Sequence, residues 1–164
     1  MARAIVRNPA NLSAQYLVTE TESAARALKV QLQLVDAGGP DDLAGAFAAM
    51  VRERAGAAVV VPDPMFITQR KRIADLALKS RVATAANRRE YVDAGGLLSY
   101  GPSLNDEARD AARYVVRIFK GARPADLAVE QPTRLELVIN VKTAKALKLA
   151  IPPPLLRRAD EIIQ

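Results

Sequence analysis

The chain of 164 residues contains no cysteine, no histidine and no tryptophan. Without cysteine there is no thiolate nucleophile and no disulfide. Without histidine there is no Ser-His-Asp triad and no ordinary zinc site. Four tyrosines and three phenylalanines are the whole aromatic content. Neither a zinc-finger pattern nor an aromatic-and-basic RNA-binding signature is present, which weighs against nucleic acid as a partner despite the charge. No apolar run approaches the length of a membrane span, and "MARAIVRNPANLSAQ" holds no signal-peptide core. The reading is a soluble chain that is not visibly exported.

Half of the residues are apolar, enough for the core of one ordinary domain. Lysine and arginine number 24 against 18 aspartate and glutamate, a net charge of +6. Seven basic residues fall between Arg70 and Arg89 with Asp75 as the single acid. Because they lie on the polar side of an amphipathic segment, they read as a solvated face, with an acidic protein surface as the alternative.

Apolar patterning alternates between the two periods of regular structure. "ARAIVRN" reads as a strand ending in the turn cluster Asn8-Pro9-Ala10-Asn11. The next segment places Leu12, Tyr16, Thr19, Ala24 and Leu28 near helical spacing. "VQLQLVDAGG" is a half-buried strand, and Pro40-Asp41-Asp42 suits a helix amino terminus. "GAAVVVPDP" is a continuous apolar strand of the kind covered on both faces of a parallel sheet. Helical spacing returns through Phe66, Ile73, Leu76 and Ala77. "RVAT", "ANRREYVDAGG" and "GLLSYG" then read as strand, helix and strand. Five such alternations predict an α/β fold with a parallel sheet, a three-layer lobe of flavodoxin-like strand order.

From Asn105 a long amphipathic helix is expected, capped by Asn105 and stopping at Gly121. After a proline-punctuated connector, "TRLELVINV" reads as a strand that need not join the first sheet and could belong to a second one, followed by one short helix and a proline-broken tail.

In a parallel α/β sheet, ligands bind outside the carboxyl ends of the strands. Those ends present Asn8 and Asn11, Asp36, Asp63 with Phe66 and Gln69, Asn87 with Arg88, and Tyr100 with Ser103. Asp63 lies between Pro62 and Pro64, so its carboxylate is read equally as an anchor for a ligand ammonium and as the cap of the next helix. Tyr100 leaves the sheet just before Gly101-Pro102, where its ring walls a pocket or simply packs. Dinucleotide and phosphate-loop fingerprints are absent, so no cofactor, no metal and no catalytic set is implied.

"VVVPDPMFITQRKRIADLA", "EYVDAGGLLSYGPS", "IFKGARPADLAVEQPTRLELVINVKTAKALKLAIPPPLLRRADEII" and the early "RNPAN" cover nearly the whole chain in order. Together they make it resemble the substrate-binding proteins of a bacterial ABC-transporter family. These are type-I periplasmic binding proteins, some of which bind aromatic amino acids. The resemblance implies two α/β lobes that close on a small-molecule solute and then dock to an ABC permease in the membrane. It implies a non-enzymatic protein, with a ligand-sensing regulatory module or a flavodoxin-like enzyme as the competing readings.

Within the resemblance, residues 1–103 look like the carboxyl-side lobe. Residues 104–164 look like a crossover helix, strand and tail that complete the amino-terminal lobe. Neither an export signal nor a first lobe precedes Met1, so a truncated member is expected, periplasmic by family and cytoplasmic if expressed as written. Ligand contacts would come from Asn8, Asp63, Phe66, Arg88 and Tyr100, and apolar surface left by the missing lobe would favour a homodimer.

Overall fold

Small and β-branched residues crowd the centre of the chain's sheet, and the strands they form order everything else. The structure is a computed structural model that describes residues 2–132 and 134–164. Its first half runs β1 (Ala2–Arg7), α1 (Gln15–Ala27), β2 (Leu32–Asp36), α2 (Asp42–Arg52) and β3 (Ala55–Val60). Then come α3 (Pro64–Thr68), α4 (Arg70–Ser80), β4 (Ala83–Ala86), α5 (Arg89–Asp93) and β5 (Leu98–Pro102). The remainder is α6 (Leu104–Phe119), β6 (Leu135–Asn140), α7 (Val141–Ala146), α8 (Pro153–Arg158) and β7 (Glu161–Ile163).

One seven-stranded sheet has the order β2-β1-β3-β4-β5-β6-β7. The first five strands are parallel, so their carboxyl ends share one edge. Their order is the doubly wound, flavodoxin-like arrangement expected from the alternation, with its switch point between β1 and β3. At a switch point, successive connections leave toward opposite faces of the sheet and open a crevice at the edge.

Helices cover both faces and give three layers. On one face α2 lays Leu43, Ala46, Phe47 and Met50 against the sheet beside Ile73 and Ala77 of α4 and Tyr91 of α5. On the other face α1 packs Val18 with Ala14, Ile5 and Val61. The α1 stripe differs from the sequence reading: Leu12, Tyr16 and Leu28 are exposed, while Ala14, Val18 and Ala25 are buried. Small side chains at that spacing let the helix approach the sheet closely, which bulky Leu and Tyr would prevent.

Two glycines carry steric weight at the edge. A Cβ on Gly101 would stand 2.0 Å from the Asn87 carbonyl oxygen, so β5 passes the β4 exit closer than any side chain permits. A Cβ on Gly96 would fall 2.3 Å from the Tyr91 ring, which occupies the space instead.

The last strand corrects the sequence reading. "TRLELVINV" was expected in a second, incomplete lobe; β6 instead pairs antiparallel with β5 from Leu98–Ile139 to Pro102–Leu135. β7 then adds in parallel through Val138–Glu161 and Asn140–Ile163. Hydrogen bonds hold this placement. Asn140 N–H donates to the Leu97 carbonyl at 2.8 Å, and the Thr143 hydroxyl donates to the Gly95 carbonyl at 2.9 Å. The Arg89 guanidinium reaches both Glu161 oxygens at 2.8 and 2.9 Å. An exposed β5 edge would leave unpaired backbone groups, and the returning strand satisfies them.

The chain leaves the sheet edge after Pro102 and is back in it at Leu135, directly opposite. Its α6 buries no residue: Leu104, Val115, Val116, Ile118 and Phe119 are all exposed. The helix begins two residues earlier than read, because Ser103 rather than Asn105 caps it, its hydroxyl accepting from Asp106 N–H at 3.4 Å. Gly121, at φ 99°, follows its end as expected.

Candidate ligand pocket at the strand exits

The extended backbone of Asp63 follows β3, and Pro64 begins α3 with φ already suited to a helix. One Asp63 oxygen accepts from Met65 N–H at 2.8 Å, and the other accepts from the Asn11 side-chain amide at 2.8 Å. Asn11 is itself held by the Ser13 hydroxyl, which donates to its Oδ1 at 2.6 Å. The loops after β1 and β3 are therefore stitched together across the switch point. Of the two readings of Asp63 the geometry forms the cap, and the residue is 5% exposed with each carboxylate oxygen engaged within the protein.

Beside it lies a shallow cleft, open to solvent, with an apolar wall of Val60, Phe66, Ile67 and Tyr91. Asp63, Arg70, Asn87, Arg88 and Glu90 place polar atoms around that wall. An apolar body with a few convergent polar groups is the usual construction of a small-molecule site. Phe66 is buried, belongs to the core cluster and also borders the cleft. Burial pushes the Tyr91 phenol far above its usual range, with the Thr84 hydroxyl acting weakly in the opposite sense. The phenol is neutral at every physiological pH.

Arg88 occupies the cap position of α5 with an extended backbone, and its side chain borders the cavity. The guanidinium donates to Glu107 Oε2 at 2.7 Å, with the two side chains 27% and 32% exposed. Glu107 lies in the first turn of α6, so this ion pair joins the pocket rim to the helix that leaves the sheet.

Of the five residues singled out from the sequence, the cavity brings together Asp63, Phe66 and Arg88. Asn8 and Tyr100 lie outside its lining. Asn8 turns its Oδ1 back to accept from Ala10 N–H at 3.0 Å, closing a local turn. Tyr100 is exposed on β5, in an open depression with Leu17, Val59 and Leu98. Asp36 is engaged by Arg7 at 2.7 Å. Arg70, Tyr91 and Glu107 were missed. Arg70 sits in a run read as solvated, and Tyr91 and Glu107 gain meaning only when α5 and α6 are brought to one edge.

Lys71 and Arg72 behave as a solvated face, Lys71 pairing with Asp75 and Arg72 lying 3.9 Å from Asp41, whereas Arg89 is held by Asp93 and Glu161. Among the described residues no cluster of three or more acidic side chains is disposed to hold a metal ion, and no helix is long and apolar enough to cross a membrane.

A family model described as ABC transporter substrate binding protein matches residues 3–163. No curated protein matches the chain. Among solved structures, a conserved domain protein from Vibrio cholerae is similar over 98% of this chain at 24% identity and a TM-score of 0.89. The match covers 54% of that protein. A Streptococcus pneumonia structure titled as the ABC domain in complex with L-Trp is similar over 99% of this chain, at 21% identity and a TM-score of 0.87, with 56% of its own length covered. A substrate binding protein with adhesive properties from Clostridium difficile, in a ligand-free, open form, has a TM-score of 0.74 at 13% identity over 99% of this chain and 54% of its own. The present chain spans about half the length of each of these structures.

Proposed function

From the premise that this chain belongs to the ABC transporter substrate-binding protein family, we propose that it holds a small solute at the carboxyl ends of β1, β3 and β4. The observation that carries the reading is the cleft between the exits of β3 and β4, where an apolar wall at Phe66 and Ile67 meets the charged groups Asp63 and Arg88. Such a site suits a molecule with an apolar body and a charged head, such as an aromatic amino acid. The Streptococcus pneumonia structure of the same fold, in complex with L-Trp, supports that class of solute. Binding and release are the whole chemistry, and delivery to an ABC permease outside the cytoplasmic membrane is the role the family implies.

The excursion of residues 103–134 fits a two-lobed receptor. It starts and ends at the pocket edge, and its helix carries an apolar face that nothing in the described residues covers. In this reading residues 1–103 and the returning 135–164 build one lobe, and α6 with its connector serves a second. In a preparation of these 164 residues alone, a second copy of the chain is the partner for that face, giving a homodimer.

Titration of the chain with the aromatic amino acids, followed by backbone NMR, tests the site. The expected result is saturable shifts at Asp63, Phe66, Asn87 and Arg88 at millimolar solute, since a single wall encloses little of a ligand. Saturable shifts located elsewhere, or none for any of the amino acids, would overturn it.

A further inference from the structure

We propose that Arg88 recognises a carboxylate on the bound solute and that Glu107 competes for the same guanidinium, so that solute and α6 exclude one another at the pocket rim. The inference rests on the solute-binding reading above and adds the chemistry of one end of the ligand.

The two charged groups of the cavity that come from strand exits are not equally available. Asp63 has one oxygen on Met65 N–H and the other on Asn11, and it is almost fully buried. A ligand ammonium would have to share lone pairs already directed elsewhere. Arg88 is different: its side chain is about one quarter exposed, borders the cavity, and reaches Glu107 through a single nitrogen. A guanidinium offers five donors in a planar fork that matches a carboxylate with two parallel bonds. A ligand carboxylate therefore replaces a one-point contact with a two-point contact of the same charge.

Packing does not hold Glu107 in place. None of the residues of α6 is buried, and its apolar side faces away from the body of the fold. Its covalent junction with β5, the Ser103 cap and the Arg88–Glu107 pair fix its first turn. Exchange of one carboxylate for another leaves the charge on Arg88 balanced while removing one of these attachments. The pocket thereby reports its occupancy to the segment that leaves the sheet.

Three probes with one ring system separate the charges: 3-indolepropionate carries only a carboxylate, tryptamine only an ammonium, and L-tryptophan both. Binding to the 164-residue chain, to Glu107→Gln and to Arg88→Met is measured by ligand-observed NMR, with α6 followed by amide hydrogen exchange. Glu107→Gln should tighten 3-indolepropionate about ten-fold and leave tryptamine unchanged. Arg88→Met should weaken 3-indolepropionate by about ten-fold or more. Adding 3-indolepropionate to the unaltered chain should speed exchange in the first turns of α6, an effect absent with tryptamine. Equal binding of 3-indolepropionate by all three proteins, or by none, overturns the exchange. L-Tryptophan that binds at Asp63 and Phe66 with no response to either substitution would sink it while leaving the solute-binding reading intact.

Discussion

Asn11 and Asp63 are joined by a hydrogen bond of 2.8 Å between loops that diverge to opposite faces of the sheet. The bond spans the switch point at which the family's fold opens its crevice, and it uses the carboxylate oxygen that the helix cap leaves over. Asp63 therefore ties the exits of β1 and β3 together at the edge where their loops converge.

Asp63→Ala removes the cap of α3 and strands the Asn11 amide, each loss costing on the order of 1 kcal/mol or more. Chemical denaturation should show a stability loss of about 2–3 kcal/mol. The double substitution with Asn11→Ala should cost less than the sum of the two singles, by about 1 kcal/mol. Strict additivity would mean that the two side chains do not meet in solution.

Gly101→Ala should be among the most damaging small substitutions in the chain. Its Cβ would meet the Asn87 backbone, which has no flexible end to move aside. The expected loss is roughly 2–4 kcal/mol. Amide shifts should change at Asn87 and Arg88, on the pocket rim. An undisturbed melting temperature would mean that β4 and β5 are looser here than the geometry shows.

Tyr91→Phe should have the opposite sign. The phenolic oxygen is buried without a hydrogen bond of good geometry, although the Thr84 hydroxyl lies near it. Removing a hydroxyl that was desolvated without full compensation should leave the protein equally stable or more stable by about 1 kcal/mol. A marked destabilisation would reveal a partner for the oxygen, such as a trapped water.

The docking of β7 should depend on acidity. The Arg89 guanidinium holds the Glu161 carboxyl below its ordinary value of 4.5, so the folded form favours the ionised state. A group whose folded pKa is lowered contributes its stability above the unfolded pKa and loses it as pH falls through the folded one. Amides of Ile162 and Ile163 should therefore stay protected above the ordinary carboxylate range and open progressively as the pH falls below it. Glu161→Gln should remove that dependence. Protection that stays flat as the pH falls would show that the ion pair does not hold the strand.

The exposed face of α6 should govern association of the 164-residue chain. Val115→Glu places a charge amid Val116, Ile118 and Phe119, all solvent-facing in the single chain. Light scattering after size exclusion should show dimer for the unaltered chain at micromolar concentration and monomer for the variant, with unchanged thermal stability. Monomer in both cases would remove the homodimer proposal.

Local chemistry made a large part of this molecule legible. Alternating two- and 3.6-residue periods gave five strand–helix units, and short connections left a parallel, doubly wound sheet as the economical arrangement. Asp63 before Pro64 announced a helix start, and Gly121 a helix stop, because those preferences reside in one or two residues. The α1 stripe was misread because helical spacing alone does not distinguish large apolar residues from the small ones that fit under a sheet. The second-sheet assignment of Leu135–Asn140 failed for a related reason: a strand's sequence carries its period and not its neighbour.

Sequence alone settled the elements and the edge at which their loops converge, since propensity, capping and proline chemistry act over a few residues. Tertiary structure alone decided that β6 closes the β5 edge, that Asn11 reaches Asp63, and that Glu107 meets Arg88. Those contacts join residues from 19 to 52 positions apart, or whole strands after a long excursion. Pairings at such separations are selected by which backbone and charged groups would otherwise remain unsatisfied, a condition that exists only once the chain has folded.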